Sequence, residues 1–156
     1  MKKIFLSIIV MMAAGHALAC TNLIVGKGAS TDGSVIVSYN ADSYGMYGNL
    51  YTHKAAKHNK GEVRKVYDWD TNRFLGLIDE AEVTYNVVGQ MNENQVSVCE
   101  TTFGGREELV DTTGKVDYGS LIYVALQRSK TAREAIDVIV ELANTYGYCS
   151  SGESFS

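Results

Sequence analysis

The stretch Asp117-Tyr-Gly-Ser-Leu-Ile-Tyr-Val-Ala-Leu-Gln-Arg-Ser-Lys-Thr-Ala-Arg-Glu-Ala-Ile-Asp-Val-Ile-Val-Glu-Leu-Ala-Asn-Thr-Tyr-Gly147 decides how the rest of the chain is read. Leu121, Ile122, Ala125 and Leu126 recur at helical spacing, and Thr131 with Glu134 then has the form of a capping box. Ala135, Ile136, Ile139, Leu142 and Ala143 make the apolar stripe of a second amphipathic helix, which Gly147 stops. The spacing predicts a helical hairpin.

Upstream the period is different. Thr21–Val25, Ser34–Tyr39, Glu62–Trp69, Glu82–Val88 and Gln95–Thr102 are β-prone runs. Lys27–Gly33, rich in Gly, Ser, Thr and Asp, joins the first two as a hairpin; Asn40–Asn49 reads as a loop and Met91–Asn94 as a tight turn. Strands first and a helix pair after them give an α+β fold with antiparallel pairing. One helix pair covers one face of a sheet, yet the central strands are apolar enough for two buried faces. That suggests an incomplete chain whose missing part supplies the second layer, or a homo-oligomer that covers the face.

The chain has 156 residues, 46% hydrophobic, with net charge -4, no proline and three cysteines, which bounds it to one modest domain. Lys2 and Lys3 precede an apolar run, Ile4 to Ala14, and then Ala17-Leu-Ala-Cys20, the pattern of a secretory signal cleaved after Ala19. The run is too short for a permanent membrane span, which takes about 20 apolar residues. Residues 1–19 are therefore read as a signal peptide and 20–156 as the mature domain, secreted or periplasmic. Loss of the two lysines moves the charge to -6, which argues against nucleic acid as a partner.

That cut places Cys20 first in the mature chain, where three readings are open. It is a free nucleophile whose own α-amine serves as general base, the acceptor of a lipid anchor, or a buried or bridged residue. Lipidation acylates the amine, so the first two exclude each other. A lipoprotein carries a polar tether after its cysteine, whereas Thr21-Asn-Leu-Ile-Val25 enters a strand at once.

Cys20-Thr-Asn-Leu-Ile-Val-Gly-Lys-Gly-Ala-Ser-Thr-Asp-Gly-Ser34 resembles the mature start of the cysteine-nucleophile dipeptidases related to dipeptidase A and the secernins, within the N-terminal nucleophile (Ntn) hydrolases. The resemblance continues through Val87–Glu93, Glu100–Arg106, Asp117–Arg128, Thr131–Ile136 and Ser151–Ser156, in order along nearly the whole mature chain. Members of that family are several times longer. The resemblance implies an αββα sandwich, of which this chain is the N-terminal part, and a dipeptidase acting on short peptides without a cofactor. As a fragment it is expected to be inactive alone.

Residue by residue, the resemblance implies that Cys20 attacks the amide carbonyl while its α-amine takes the thiol proton. Asn92, in Met91-Asn92-Glu93, matches an oxyanion-hole donor of related cysteine amidases. Asp42 matches an acid that orients the N-terminal amine in relatives of the bile-salt hydrolase and penicillin acylase type. The arginine of that segment is replaced by Tyr39, which brings no fixed positive charge. An amidase or acylase of that type, and a non-enzymatic surface protein anchored at Cys20, are the rival readings.

Other candidates read more simply as structure. Turn chemistry alone accounts for Asn92, and a loop cap for Asp42. Cys99 and Cys149 can pair in an oxidising compartment. His53 and His58 lie in a lysine-rich stretch to Lys65 that reads as a solvated loop rather than half of a Cys-His pair. Their spacing makes no metal signature. Asp68-Trp69-Asp70 reads as a strand end entering the Thr71-Asn72 turn, and Gly104-Gly105-Arg106 as backbone approaching the substrate cleft without a phosphate loop.

Overall fold

The computed structural model describes residues 20–42 and 48–156. The signal peptide assigned to residues 1–19 lies outside the described residues, as does part of the loop after Asp42. The described chain is α+β, with antiparallel strand pairs followed by two helices.

Strands β1 (Thr21–Val25) and β2 (Ile36–Asn40) form the predicted hairpin, in the register Thr21 opposite Asn40 and Val25 opposite Ile36. The lysine-rich segment after it is folded, which corrects its reading as a solvated loop. It carries β3 (Thr52–His53), β4 (Ala56–Lys57) and the start of β5 (Val63–Tyr67). β5 pairs with β6 (Phe74–Asp79), an element whose alternation is hidden by Gly76. Gly76 has φ +156, and a Cβ there would lie 2.9 Å from Lys115 Cγ, so packing there requires glycine.

The run Glu82–Val88 is broken into β7 (Val83–Thr84) and β8 (Val87–Val88), which pair with β4 and β3 respectively. β9 (Met91–Asn92) pairs back on β8, and the tight turn lies at Asn92–Gln95, where Gln95 N–H donates to Asn92 O. β10 (Glu100–Gly104) pairs with the terminal β11 (Gly152–Phe155). Gly105, just after β10, lies against the Gly152 backbone, and neither it nor Gly104 lines the cleft described below.

Helices α1 (Tyr118–Arg128) and α2 (Ala132–Tyr146) form the hairpin. The reciprocal capping box sits at α1: Asp117 accepts from Ser120 N–H at 2.9 Å, and Ser120 accepts from Asp117 N–H at 2.9 Å. At α2, Thr131 caps Glu134 N–H, while the Glu134 carboxylate turns to Lys130 N–H instead of Thr131. Gly147 at φ +73 ends α2 as expected.

Two apolar clusters flank α1. Val66 and Ile78 of the β5–β6 hairpin pack with Val116, Leu121, Val124 and Leu142. Val87, Val96 and Val98 pack with Ile122, Leu126 and Ala135. α1 is therefore buried on nearly all sides, and α2 covers it with only Ala135 and Leu142 fully buried. Ile136, read as part of the buried stripe, is 49% exposed. On the β1–β2 hairpin Leu23, Ile24 and Ile36 are also exposed, so the helix pair leaves strand surface uncovered.

Candidate functional site

Cys20 immediately precedes β1, and the pairing of Asn22 with Tyr39 sets it beside the end of β2. Asn22 bolts this hairpin to β10: its amide donates to Glu100 O at 2.8 Å and to Thr101 Oγ1 at 3.1 Å. The β10–β11 pairing then carries Glu153, opposite Thr102, to the same face. These elements surround a cleft of about 620 Å3 whose wall includes Cys20, Tyr39, Asp42, Asp70, Glu100 and Glu153.

The opposite wall is aromatic. Asp68 caps the turn by accepting from Thr71 N–H and Thr71 Oγ1 at 2.9 and 2.8 Å, as the sequence predicts. The same turn presents Trp69, whose backbone N–H donates to the Asp117 carboxylate at 2.7 Å and whose ring meets Tyr51 at 4.8 Å. Gly119 on α1 makes room for it, since a Cβ there would lie 2.5 Å from the Trp69 ring. Tyr118 of α1 donates to Asp70 at 2.8 Å. An adjoining apolar recess of about 440 Å3 runs behind Trp69, lined by His53, Ile122 and Tyr123 among others. His53 stacks on Tyr123 at 4.5 Å; burial and the Arg64 charge push its imidazole below the usual range, so it stays neutral near pH 7. His58 bonds Glu62 and Thr84. Neither histidine bonds a cysteine.

The cleft is electrostatically one-sided. Among the described residues its lining holds four carboxyl groups and no lysine, arginine or histidine. Burial pushes the Cys20 thiol up; hydrogen bonding from the Asp42 backbone opposes that, and Glu100 adds to it. The thiol is thus protonated near neutrality, and a base must take its proton before it can attack. Tyr39 donates its phenol proton to Glu100 Oε1 and lies 3.9 Å from Cys20 Sγ. Burial, followed by Glu100, drives that phenol far above its ordinary range. Burial and the neighbouring Glu100 raise Glu153 to about 8.

The structure brings Cys20 and Asp42 together on one wall and leaves Asn92 elsewhere. Asn92 is buried away from the cleft and donates both amide hydrogens, to Leu126 O at 2.7 Å and Ser129 O at 2.8 Å. Its Oδ1 accepts from Asn94 N–H at 2.9 Å and Val96 N–H at 3.0 Å. In this arrangement it has no free donor for an oxyanion and instead holds the end of α1 to the β9 turn. Cys99 and Cys149 are unbridged; Cys149 donates to Val116 O at 3.4 Å.

Glu100 and Glu153 stand in the resembling segments, yet residue types alone give them no role. The signal for Glu100 is a lone carboxylate inside the apolar run Val96-Ser-Val-Cys-Glu100, where its own side chain is 1% exposed. Among the described residues no group of three or more His, Cys, Asp or Glu is arranged to hold a metal ion, and no helix is long and apolar enough to cross a membrane.

The sequence model of peptidase family C69 matches residues 19–74 and 53–156 of the chain. A probable dipeptidase of Salmonella dublin is 28% identical over 171 aligned positions, covering 99% of this chain and 39% of the relative. The chain therefore spans about two fifths of the length of that curated relative. No solved structure matches it.

Proposed function

Since the chain belongs to peptidase family C69, we propose that it carries the nucleophile of an exported cysteine dipeptidase whose residues 1–19 are removed as a signal peptide. In this reading Cys20 becomes the N-terminal residue, and its nitrogen changes from an amide to an amine capable of taking the thiol proton. Residues 20–156 form part of an αββα sandwich of the Ntn-hydrolase type.

The observation that carries the reading is the place of Cys20: it is the residue before β1, on the wall of the cleft, one position inside the start of the family match. Sγ attacks the scissile carbonyl, the α-ammonium returns its proton to the leaving amine, and water cleaves the thioester. A raised thiol suits this order, because the sulfur stays protonated until the adjacent amine is free. Asp42, on the same wall, orients the amine. Asn92 contributes through the fold, and another group supplies the oxyanion donor. The Salmonella relative described as a probable dipeptidase supports short peptides as substrates.

The test is intact mass and turnover together. Exported protein is expected to begin at an unmodified Cys20, the longer native protein that contains this chain is expected to cleave members of a dipeptide panel, and its Cys20→Ser variant is expected to lose that turnover. A diacylglyceryl adduct on Cys20, or undiminished turnover by the variant, overturns the proposal.

A further inference from the structure

Three observations meet at the carboxylate of Glu100. Its side chain is almost completely buried, and among the described residues no lysine, arginine or histidine lines the nearby cleft wall to balance it. Oε1 takes the proton of Tyr39, and the oxygen of that phenol lies 3.9 Å from Cys20 Sγ. Oε2 has no partner, and neither has the buried Oε2 of Glu153, the diagonal neighbour of Glu100 across the β10–β11 ladder. Two unpartnered buried carboxylate oxygens on neighbouring side chains are costly unless one proton lies between them.

We propose that Glu100 is a positioning residue for the Cys20 thiol: by taking the single proton of Tyr39 it leaves the phenol as an acceptor toward sulfur, while a proton held by Glu153 satisfies its other oxygen.

This inference rests on the reading of Cys20 as the nucleophile. A phenol has one proton. While Glu100 holds it, Tyr39 can accept from the Cys20 S–H but cannot donate to a thiolate, so the thiol form is favoured. When Glu100 is neutral, its own donor can serve the phenol oxygen, and the phenol proton is released toward sulfur, which favours the thiolate. No covalent bond changes; one hydrogen bond reverses direction. The groups facing this chain are Cys20 ahead of β1, Tyr39 on β2, Asp42 beyond it, Cys99 and Glu100 at the start of β10, Glu153 on β11, Tyr118 on α1 and Asp70 from the turn after β5. Burial and Glu100 together raise Glu153 to about 8, so the pair keeps one proton at neutral pH, and because Glu100 already accepts from Tyr39 that proton sits on Glu153.

Site-resolved alkylation tests this without any need for peptide turnover, so failure of the dipeptidase reading and failure of this one are distinguishable. The rate of Cys20 modification by iodoacetamide is followed against pH by mass spectrometry of the Cys20 peptide. Glu100→Gln is expected to lower the inflection by about one pH unit, a tenfold rise in thiolate below it, through the lost charge and the freed phenol proton. In the Tyr39→Phe background the same substitution is expected to give less than half that shift. An unchanged or raised inflection, or equal shifts with and without Tyr39, overturns the proposal. Glu153→Gln supplies a second measurement should Glu100→Gln fail to fold. It keeps a donor toward Glu100 but cannot ionise, so Cys20 alkylation above pH 8 is expected to exceed that of the unmutated chain, and equality there also overturns the proposal.

Discussion

Replacing Asn92 by alanine removes four hydrogen bonds at once, because the side chain donates to Leu126 O and Ser129 O and accepts from Asn94 N–H and Val96 N–H. Bond lengths of 2.7, 2.8, 2.9 and 3.0 Å are all in the normal range, and the residue is 4% exposed, so water cannot replace the lost partners without opening the turn. At about 1 kcal/mol net for each bond the expected loss is about 4 kcal/mol, more where the orphaned groups stay dry. For a chain of this length, about 2–4 °C per kcal/mol gives a fall in Tm of about 8–16 °C. Urea unfolding followed by circular dichroism reads the change as a lower midpoint at constant slope. Asn92→Asp separates hydrogen bonding from cavity formation: it keeps the shape and the acceptor but turns a carboxylate toward two carbonyl oxygens, and is expected to destabilise at least as much as alanine. A loss below about 1 kcal/mol in both variants, accompanied by loss of peptide turnover, would refute the structural assignment and return Asn92 to the oxyanion hole.

Two further outcomes follow from the charges. Glu80 joins Arg64 at 2.6 Å and Arg128 at 3.3 Å with its side chain only 5% exposed, so Glu80→Ala strands two partly buried guanidinium groups and is expected to cost about 3 kcal/mol in denaturant unfolding; a cost under 1 kcal/mol would show that the network is neutral to stability. Glu153 binds its proton more tightly in the folded state than its ordinary value of 4.5, so its contribution to stability is full below about pH 4.5 and is lost as pH rises through about 8. The unfolding midpoint is expected to decline across that window, and less steeply in Glu153→Gln; an identical slope in the variant contradicts the assignment of the proton.

The two helices were legible because each carries its own signals: a side chain that caps its first turn, an apolar stripe, and for α2 a terminal glycine. The first hairpin was equally local, with two β-prone runs and turn residues between them. Ile136 fell outside the core because an apolar stripe tells which side of α2 faces inward but not how far its partner extends. The segment from His53 to Lys65 looked solvated because its lysines outnumber its apolar residues, yet β3 and β4 are held by backbone pairing to β8 and β7, a constraint that side-chain pattern does not encode. β6 was concealed by Gly76, whose small size answers to Lys115, a residue 39 positions later.

The sequence by itself determined the first hairpin, the helix pair, the family to which the chain belongs, and the position of Cys20 at the mouth of a strand, since these depend on neighbours along the chain. Only the tertiary structure decided what surrounds that sulfur. It drew Asn92 away to the end of α1, and it gathered Tyr39, Glu100 and Glu153 from three different strands onto one wall. Residues 61 and 19 positions apart in the chain meet at the Tyr39 phenol, and that contact is a product of strand pairing and burial that no local spacing specifies.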